Sequence, residues 1–201
     1  MVQHLKDLLV KNPGLDKSMN MQYQMLRVGR KDNDFSTTAI HGIDLVRFIA
    51  ASDYKTIRFQ YQELREAGLN VANIFMDCEF ESGSQAHLSF CPVAGTVVER
   101  LEVNTYNHTY YVNLPIWGSK DFPGSLIHAG KNEIDLSLSG SSVSGCWELY
   151  VLNGFYGENE AFSDDLRNGI RPPGDIESGL QPVEIAECIR KRSPIYEHLE
   201  V

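Results

Sequence analysis

Apolar and polar residues alternate strictly along much of this chain, which is the period that a half-buried β-strand produces. In the clearest case, Ile134, Leu136 and Leu138 alternate with polar neighbours, so that one face of the strand would be dry and the other wet. A loop rich in Gly and Ser follows at 140–145, and alternation resumes over 146–152. This pattern predicts an antiparallel hairpin, the central hairpin, with 146–152 as its return strand.

Further strands are predicted at short and regular intervals before this hairpin. A Met-rich alternating run at 19–25 has the character of an edge strand packed against a core. From residue 42 onward, strands are predicted at 45–49, 57–61, 74–80, 87–91, 96–104 and 109–114. Residues 60–67 also fit a helix ending at Gly68, because they are good helix formers, and this alternative stays open. Seven or eight short strands at this spacing are typical of an antiparallel β-sandwich.

The two ends of the chain have a different character. A short amphipathic helix is predicted over 4–11, and a second one over 182–192 with basic residues at its C-terminal end. The intervening stretch 157–179 is rich in Gly, Asp, Asn and Pro and predicts no regular structure. The predicted organisation therefore has three parts, listed in chain order as an N-terminal helix and extension (1–41), a β-sandwich domain (42–156) and an extended C-terminal arm carrying one short helix (157–201).

Part of the central hairpin resembles a known family. The residues Ile-His-Ala-Gly-Lys-Asn-Glu-Ile at 127–134 are similar to the late hairpin of galactose-binding-like domains and carbohydrate-binding modules. The run Tyr-Tyr-Val-Asn-Leu-Pro at 110–115 looks like the strand that precedes that hairpin, and a looser match extends over 45–156. The resemblance implies a mainly β, antiparallel jelly-roll β-sandwich. It implies no binding residue, because the ligand loops of such domains differ from member to member.

Composition and charge restrict the partners. The chain has 201 residues, of which 42% are hydrophobic, as expected for one globular domain with extensions. The net charge of −9, with no basic run longer than 190–192, lacks the concentrated positive charge that nucleic acid binding requires. There is no apolar stretch long enough to cross a bilayer and no signal peptide at the N-terminus, so we expect a soluble protein made in the cytoplasm.

The cysteine pattern favours free thiols. None of the four cysteines belongs to a Cys-x-x-Cys pair, and three of them lie in predicted strands, where cysteine behaves as a small buried hydrophobe. A bridge between Cys78 and Cys91 on neighbouring strands is the alternative.

No catalytic, cofactor-binding or metal-binding constellation can be identified from spacing. The six histidines, which are His4, His41, His87, His108, His128 and His198, show no metal-ligand spacing, so a zinc site would need the fold to gather them. The carboxylates of Asp77, Glu79 and Glu81 share one strand face, where a solvated surface is the ordinary interpretation. The sequence therefore predicts neither a cofactor nor a metal, and a protein that is not an enzyme.

Aromatic residues provide the candidates for ligand binding. Sugar rings stack on exposed aromatic faces, and Tyr and Trp are also common at protein interfaces. The candidate binding residues are Trp117, Tyr106, Tyr110 and Tyr156, of which Trp117 lies in a predicted loop and is the best exposed platform. Trp147 shares a face with Leu149 and Val151 in the predicted return strand, so we expect it in the core.

Three functional hypotheses follow from these patterns. The first is a non-enzymatic structural or adaptor protein of a larger assembly, such as a phage tail or virion component, binding neighbouring subunits of the same or another kind through its terminal extensions. The second is a carbohydrate-binding module that uses the exposed aromatics. The third is a hydrolase or transferase whose site forms only in three dimensions.

Overall fold

One open sheet of nine strands organises the part of the chain that this computed structural model describes, residues 1–12, 19–31, 35–172 and 176–198. The strands are β1 (Asn20–Leu26), β2 (Tyr54–Glu63), β3 (Ala72–Phe80), β4 (Gln85–Cys91), β5 (Val98–Thr105), β6 (His108–Asn113), β7 (Ser125–Gly130), β8 (Glu133–Ser139) and β9 (Ile195–Glu197). The helices are α1 (Val2–Lys11), α2 (Ser36–Ala50), α3 (Gly140–Ser144), α4 (Leu149–Leu152), α5 (Phe155–Arg167) and α6 (Leu180–Arg190).

The sheet is mixed, and its strand order is β8-β7-β6-β5-β1-β4-β3-β2-β9. The β1–β4 pair is parallel, and the other neighbouring pairs are antiparallel. One face of the sheet is buried under helices, which contribute Leu5, Ile43 and Ile185 to the core, and the other face is open and polar. The predicted antiparallel jelly-roll sandwich is therefore wrong. Alternation shows that one face of a strand is buried, but it does not show whether a second sheet or a helix covers that face.

Helix α2 forms the centre of the helical layer, and it includes a segment that was wrongly predicted to be a strand. The apolar run 45–49 lies inside this helix. Ala39, Ile43 and Val46 recur every three or four residues and are fully buried against the sheet, which is the helical period. A window of five apolar residues is too short to distinguish this period from that of a buried strand.

Strand β1 holds a position that its composition did not indicate. Met21, Tyr23 and Met25 are buried as the alternation predicts, but β1 lies between β5 and β4 in the middle of the sheet instead of at its edge. The open alternative at 60–67 is resolved as strand up to Glu63, followed by turns.

The predicted central hairpin is wrong in its second half. The stretch 140–152 contains the short helices α3 and α4 and no return strand, and Trp147 is 64% exposed and outside the core. The hairpin is formed instead by β7 and β8, whose two-residue turn has positive φ at Lys131 and Asn132 and not at Gly130. This is the backbone that two-residue hairpin turns prefer.

The C-terminal segment joins the same fold. Helix α5 occupies part of the stretch for which no regular structure was predicted, while α6 confirms the predicted second helix. Helix α6 packs on α2, and β9 pairs with β2 at one edge of the sheet. The Gln181 side chain in α6 bonds both the backbone N–H and the C=O of Tyr54, at 2.9 Å each. The core thus draws on all three of the predicted segments.

All four cysteines are free thiols, as the composition predicts, and there is no Cys78–Cys91 bridge. The α1 helix confirms the predicted N-terminal helix. Among the described residues, no helix combines the length and apolar character needed to cross a membrane.

Candidate functional site

Three polar side chains from adjacent strands meet at one end of the sheet, and we call them the His-His-Asp cluster. His108 begins β6, His128 lies in β7, and Asp135 lies in β8 at the sheet edge. His108 Nδ1 is 2.9 Å from His128 Nε2, so one ring nitrogen donates a hydrogen bond to the other. Asp135 Oδ2 lies 3.7 Å from the same His128 Nε2. The three ligand atoms all lie within 4.8 Å of one another.

A β-bulge brings Asp135 into the cluster. His128 pairs with Leu136, and the next residue, Ala129, pairs with Ile134, so that Asp135 has no partner on β7. In a regular strand, Asp135 would point to the face opposite Leu136 and therefore away from His128. The extra residue re-aims its side chain, as bulges do beside functional sites. The same bulge places Ile134 on the open face, where it is 70% exposed instead of sharing the predicted dry face.

A glycine leaves the space that the cluster occupies. Gly130 is the last residue of β7 and pairs with His108. A Cβ atom at this position would lie 2.5 Å from Asp135 Oδ2 and 3.3 Å from His108 Nδ1. A side chain at residue 130 would therefore displace the Asp135 carboxylate and crowd the His108 ring, so glycine favours the observed arrangement of the cluster.

His128 is the buried member of the cluster. Its side chain is nearly inaccessible, and the ring of Tyr110 stacks on it with centroids 4.5 Å apart and planes 9° apart. Burial lowers the pKa of His128; the Asp135 carboxylate opposes this shift, and the neighbouring His108 adds to it. Burial thus favours the uncharged imidazole, in which one ring nitrogen is unprotonated and can accept a hydrogen bond or bind a metal.

The open face of the sheet carries a second polar feature. A shallow groove of about 610 Å³ runs across β1 to β4, where Gln22, Arg58 and Glu79 line it. At its floor, His87 Nδ1 lies 2.7 Å from Asp77 Oδ1 in an exposed pair. One side of an antiparallel sheet commonly faces water, and this pair is the ordinary solvated arrangement.

The predicted ligand-binding aromatics lie on different elements of the fold. Trp117 is 84% exposed in the connection between β6 and β7, Tyr106 is exposed in the turn before β6, and Tyr156 is exposed on α5. Among the described residues, no ring contact joins any two of the candidates. Tyr110 is completely buried beneath the helical layer, so its ring serves the His-His-Asp cluster and offers no platform to a ligand.

Comparison with known proteins places the fold. No protein-family model matches, and no curated protein matches. Solved structures do match over nearly the whole chain. A dehydrogenase (MviM) from Clostridium difficile has a TM-score of 0.72 and 17% identity, covering 94% of this chain and 58% of its own. An oxidoreductase domain protein from Kribbella flavida has a TM-score of 0.74 and 12% identity, covering 99% and 63%. An inositol dehydrogenase homologue from Azotobacter vinelandii, complexed with NADH and myo-inositol, has a TM-score of 0.68 and 13% identity, covering 98% and 61%.

This is the fold of a domain found in oxidoreductases. The resemblance to galactose-binding-like jelly rolls is therefore wrong, because a turn containing Gly and Asn can connect any two antiparallel strands. The same structures contradict the hypotheses of a non-enzymatic phage tail or virion component and of a carbohydrate-binding module, since the proteins that share the fold are dehydrogenases and oxidoreductases. The chain spans about three-fifths of the length of these structures.

The dinucleotide of such enzymes does not fit the described residues. A dinucleotide site uses parallel strands joined by helices, with the motif Gly-x-Gly-x-x-Gly in the first turn and the pyrophosphate at a helix N-terminus. This sheet contains a single parallel pair among the described strands, and the sequence contains no such glycine motif. We therefore assign no dinucleotide-binding residue in this chain.

Sequence reasoning did not find the His-His-Asp cluster. Tyr110 and His128 are direct partners on β6 and β7, but this register between two strands cannot be derived from the alternation within either strand. The signal that was missing is the bulge at Asp135, because the sequence there reads as uninterrupted alternation.

Proposed function

We propose that this chain is the substrate-side domain of a dinucleotide-dependent oxidoreductase that acts on a polyhydroxylated small molecule. In this proposal, a separate protein domain binds the dinucleotide. The observation that carries it is the extent of the structural match: 94–99% of this chain aligns with about three-fifths of each neighbour. The sequence contains no Gly-x-Gly-x-x-Gly motif, which would provide the turn that binds a pyrophosphate.

The substrate class is taken from the ligands and activities of the structural neighbours. They include a homologue bound to myo-inositol, a UDP-N-acetylglucosamine 3-dehydrogenase from Acidithiobacillus ferrooxidans and an oxidoreductase from Agrobacterium radiobacter bound to L-tartaric acid. These molecules share adjacent hydroxyl groups on a small carbon skeleton. We propose the same chemical class for this protein.

Helix α2 provides the residues that we assign to the substrate. His41 and Asp44 are both exposed and, at a spacing of three residues, lie on the same side of the helix. Oxidation of an alcohol transfers a hydride to the dinucleotide and the hydroxyl proton to a base, and an imidazole is the side chain that most often serves as that base. The opposite side of α2 is held against the sheet through Ile43 and Val46, so the position of His41 is rigid.

Helix α5 provides the surface that we assign to the partner protein. None of its thirteen residues is buried, yet Phe155, Phe162 and Leu166 recur along one side and are each more than 50% exposed. An apolar stripe of this kind is stabilised when a second protein surface covers it. We expect a protein partner here, either the dinucleotide-binding domain or a second copy of the chain.

Ligand titration of the isotope-labelled full chain tests the proposal. Millimolar myo-inositol should shift the amide resonances of α2 saturably, and His41→Asn should weaken this effect. The matched variant His87→Asn changes a histidine on the opposite face of the sheet and should bind as the wild type does. NAD⁺ alone should shift nothing.

Two results would count against the proposal. Tight binding of NAD⁺ by this chain would contradict a separate dinucleotide domain. If none of the polyols named for the neighbours affects α2, or if the shifts map to the open face of the sheet, the assigned site is wrong.

A further inference from the structure

The His-His-Asp cluster has the donor set of a transition-metal site. Two imidazole nitrogens and one carboxylate oxygen are the ligands that Zn²⁺ and neighbouring first-row metals prefer, whereas Mg²⁺ and Ca²⁺ favour sites built from oxygen atoms alone. Three protein ligands with one remaining position are typical of zinc sites that also bind water or a substrate. Among the described residues, this is the one group of His, Cys, Asp and Glu side chains that converges in this way.

Two of the three ligand separations are close to those around a single ion. With metal–ligand bonds of about 2.0–2.1 Å, two ligands of a tetrahedral zinc ion lie roughly 3.3 Å apart. The observed separations are 2.9 Å between the two ring nitrogens and 3.7 Å between His128 Nε2 and Asp135 Oδ2. These two separations lie on either side of the ideal value, and all three ligand atoms lie within 4.8 Å of one another, so the side chains of His108 and Asp135 would move toward each other to complete the geometry.

Two backbone features maintain the cluster. The bulge turns Asp135 toward His128, and Gly130 leaves the volume in which a Cβ atom would collide with that carboxylate. Stacking on the buried Tyr110 ring fixes the plane of His128, as supporting contacts around metal ligands do. The backbones of β6, β7 and β8 thus hold the three side chains so that their polar atoms converge.

We propose that His108 Nδ1, His128 Nε2 and Asp135 Oδ2 bind a divalent transition-metal ion of the Zn²⁺ class. The fourth position faces solvent, because Asp135 is 47% exposed and His108 is only partly buried, and it takes a water molecule or an oxygen atom of a small ligand. On binding, the ring proton shared between the two imidazoles moves to the outer nitrogen of its own ring, and both facing lone pairs bind the metal. This site is independent of the proposed oxidoreductase function.

Calorimetric titration of the chelator-treated full chain with Zn²⁺ at pH 7.5 tests the proposal. We expect one equivalent to bind and to raise the melting temperature. Asp135→Asn and His108→Gln change solvent-accessible side chains, so both variants should fold, and each should weaken Zn²⁺ binding by at least about tenfold. Gly130→Ala should do the same by filling the space between the ligands.

The matched control is His87→Gln, which makes the same exchange at an exposed histidine outside the cluster and should bind Zn²⁺ as the wild type does. Co²⁺ provides a second readout, because its visible absorption reports four-coordinate geometry and should be lost in Asp135→Asn. The proposal is overturned if the wild type shows no 1:1 binding. It is equally overturned if the cluster variants bind Zn²⁺ as tightly as the control, which would identify an adventitious surface site.

Discussion

The ring of Tyr23 in β1 lies against the Cα atom of Gly42 in α2, so closely that a methyl group on residue 42 would overlap the ring. Both residues are buried, and this contact sets the distance between the central strand and the helix that covers it. Glycine inside a helix is destabilising on its own, so its presence here reflects the close approach. The same helix carries His41, the residue that we assign to the substrate.

Replacing Gly42 with alanine should therefore destabilise the protein. We expect the free energy of unfolding to fall by about 1–3 kcal/mol, the usual effect of overpacking a core. Gly157→Ala is the matched control, because Gly157 lies in α5 with no atom near the added methyl group. It should be neutral or stabilise by up to about 1 kcal/mol. Urea denaturation of both variants checks this, and equal stabilities would contradict the proposed packing role of Gly42.

A buried ion pair makes the second prediction. The Glu99 carboxylate is almost inaccessible, accepts a hydrogen bond of 2.5 Å from the Tyr23 hydroxyl and lies 2.6 Å from the Arg27 guanidinium. Arg27→Ala would leave a buried charge without its counterion, at a cost of about 3–5 kcal/mol. The control is Arg100→Ala, which removes the more exposed arginine that pairs with Asp121. This change should lower the free energy of unfolding by less than about 1 kcal/mol. Thermal unfolding compares the two, and a smaller loss in Arg27→Ala than in the control would exclude this interpretation.

Alkaline conditions should weaken the fold through Tyr196. Burial, together with a hydrogen bond that its hydroxyl donates to Glu184, raises the pKa of Tyr196 to about 12. The unfolded chain loses this proton near pH 10, whereas the folded protein keeps it. Between pH 10 and 12 the folded state therefore binds more protons, and stability falls as the pH rises, while below pH 10 the contribution is fully present.

The variant Tyr196→Phe checks this sign. It should lose about 1 kcal/mol at pH 8 with its hydrogen bond, and its melting temperature should fall less steeply than that of the wild type above pH 10. Tyr106→Phe, at an exposed turn, should follow the wild-type curve. Parallel curves for wild type and Tyr196→Phe would show that the hydroxyl is not linked to alkaline unfolding.

The apolar stripe on α5 leads to a prediction about association. If a second copy covers it, light scattering should give a mass above the 22.7 kDa of one chain. The double variant Phe162→Ser with Leu166→Ser should then lower the mass, because it removes the two exposed apolar side chains near the end of α5. Val10→Ser, an exposed apolar residue on α1, is the control. A monomer in every case would contradict self-association through the stripe.

Prediction from the sequence succeeded where the spacing of apolar residues within one segment is enough to identify that segment as a strand or a helix. The alternating runs now seen as β3, β4, β5 and β6 were identified from their period of two. The helices α1 and α6 were identified from their amphipathic pattern and from the Pro residues that follow them. In these segments the burial of one face and the local backbone preference agree, so that neighbouring elements do not alter the result.

The sequence by itself thus determined where most strands lie and which face of β1 and β3 is buried, and it favoured free thiols. Tertiary structure alone decided three other things: that helices and not a second sheet cover the strands, that β1 takes the central place, and that Asp135 meets His128. The first two depend on contacts between segments far apart in the chain. These contacts do not change the spacing of apolar residues within either segment, so they cannot be predicted from it. The third depends on one unpaired residue in β8, which reverses the direction of a side chain without interrupting the alternation of the sequence.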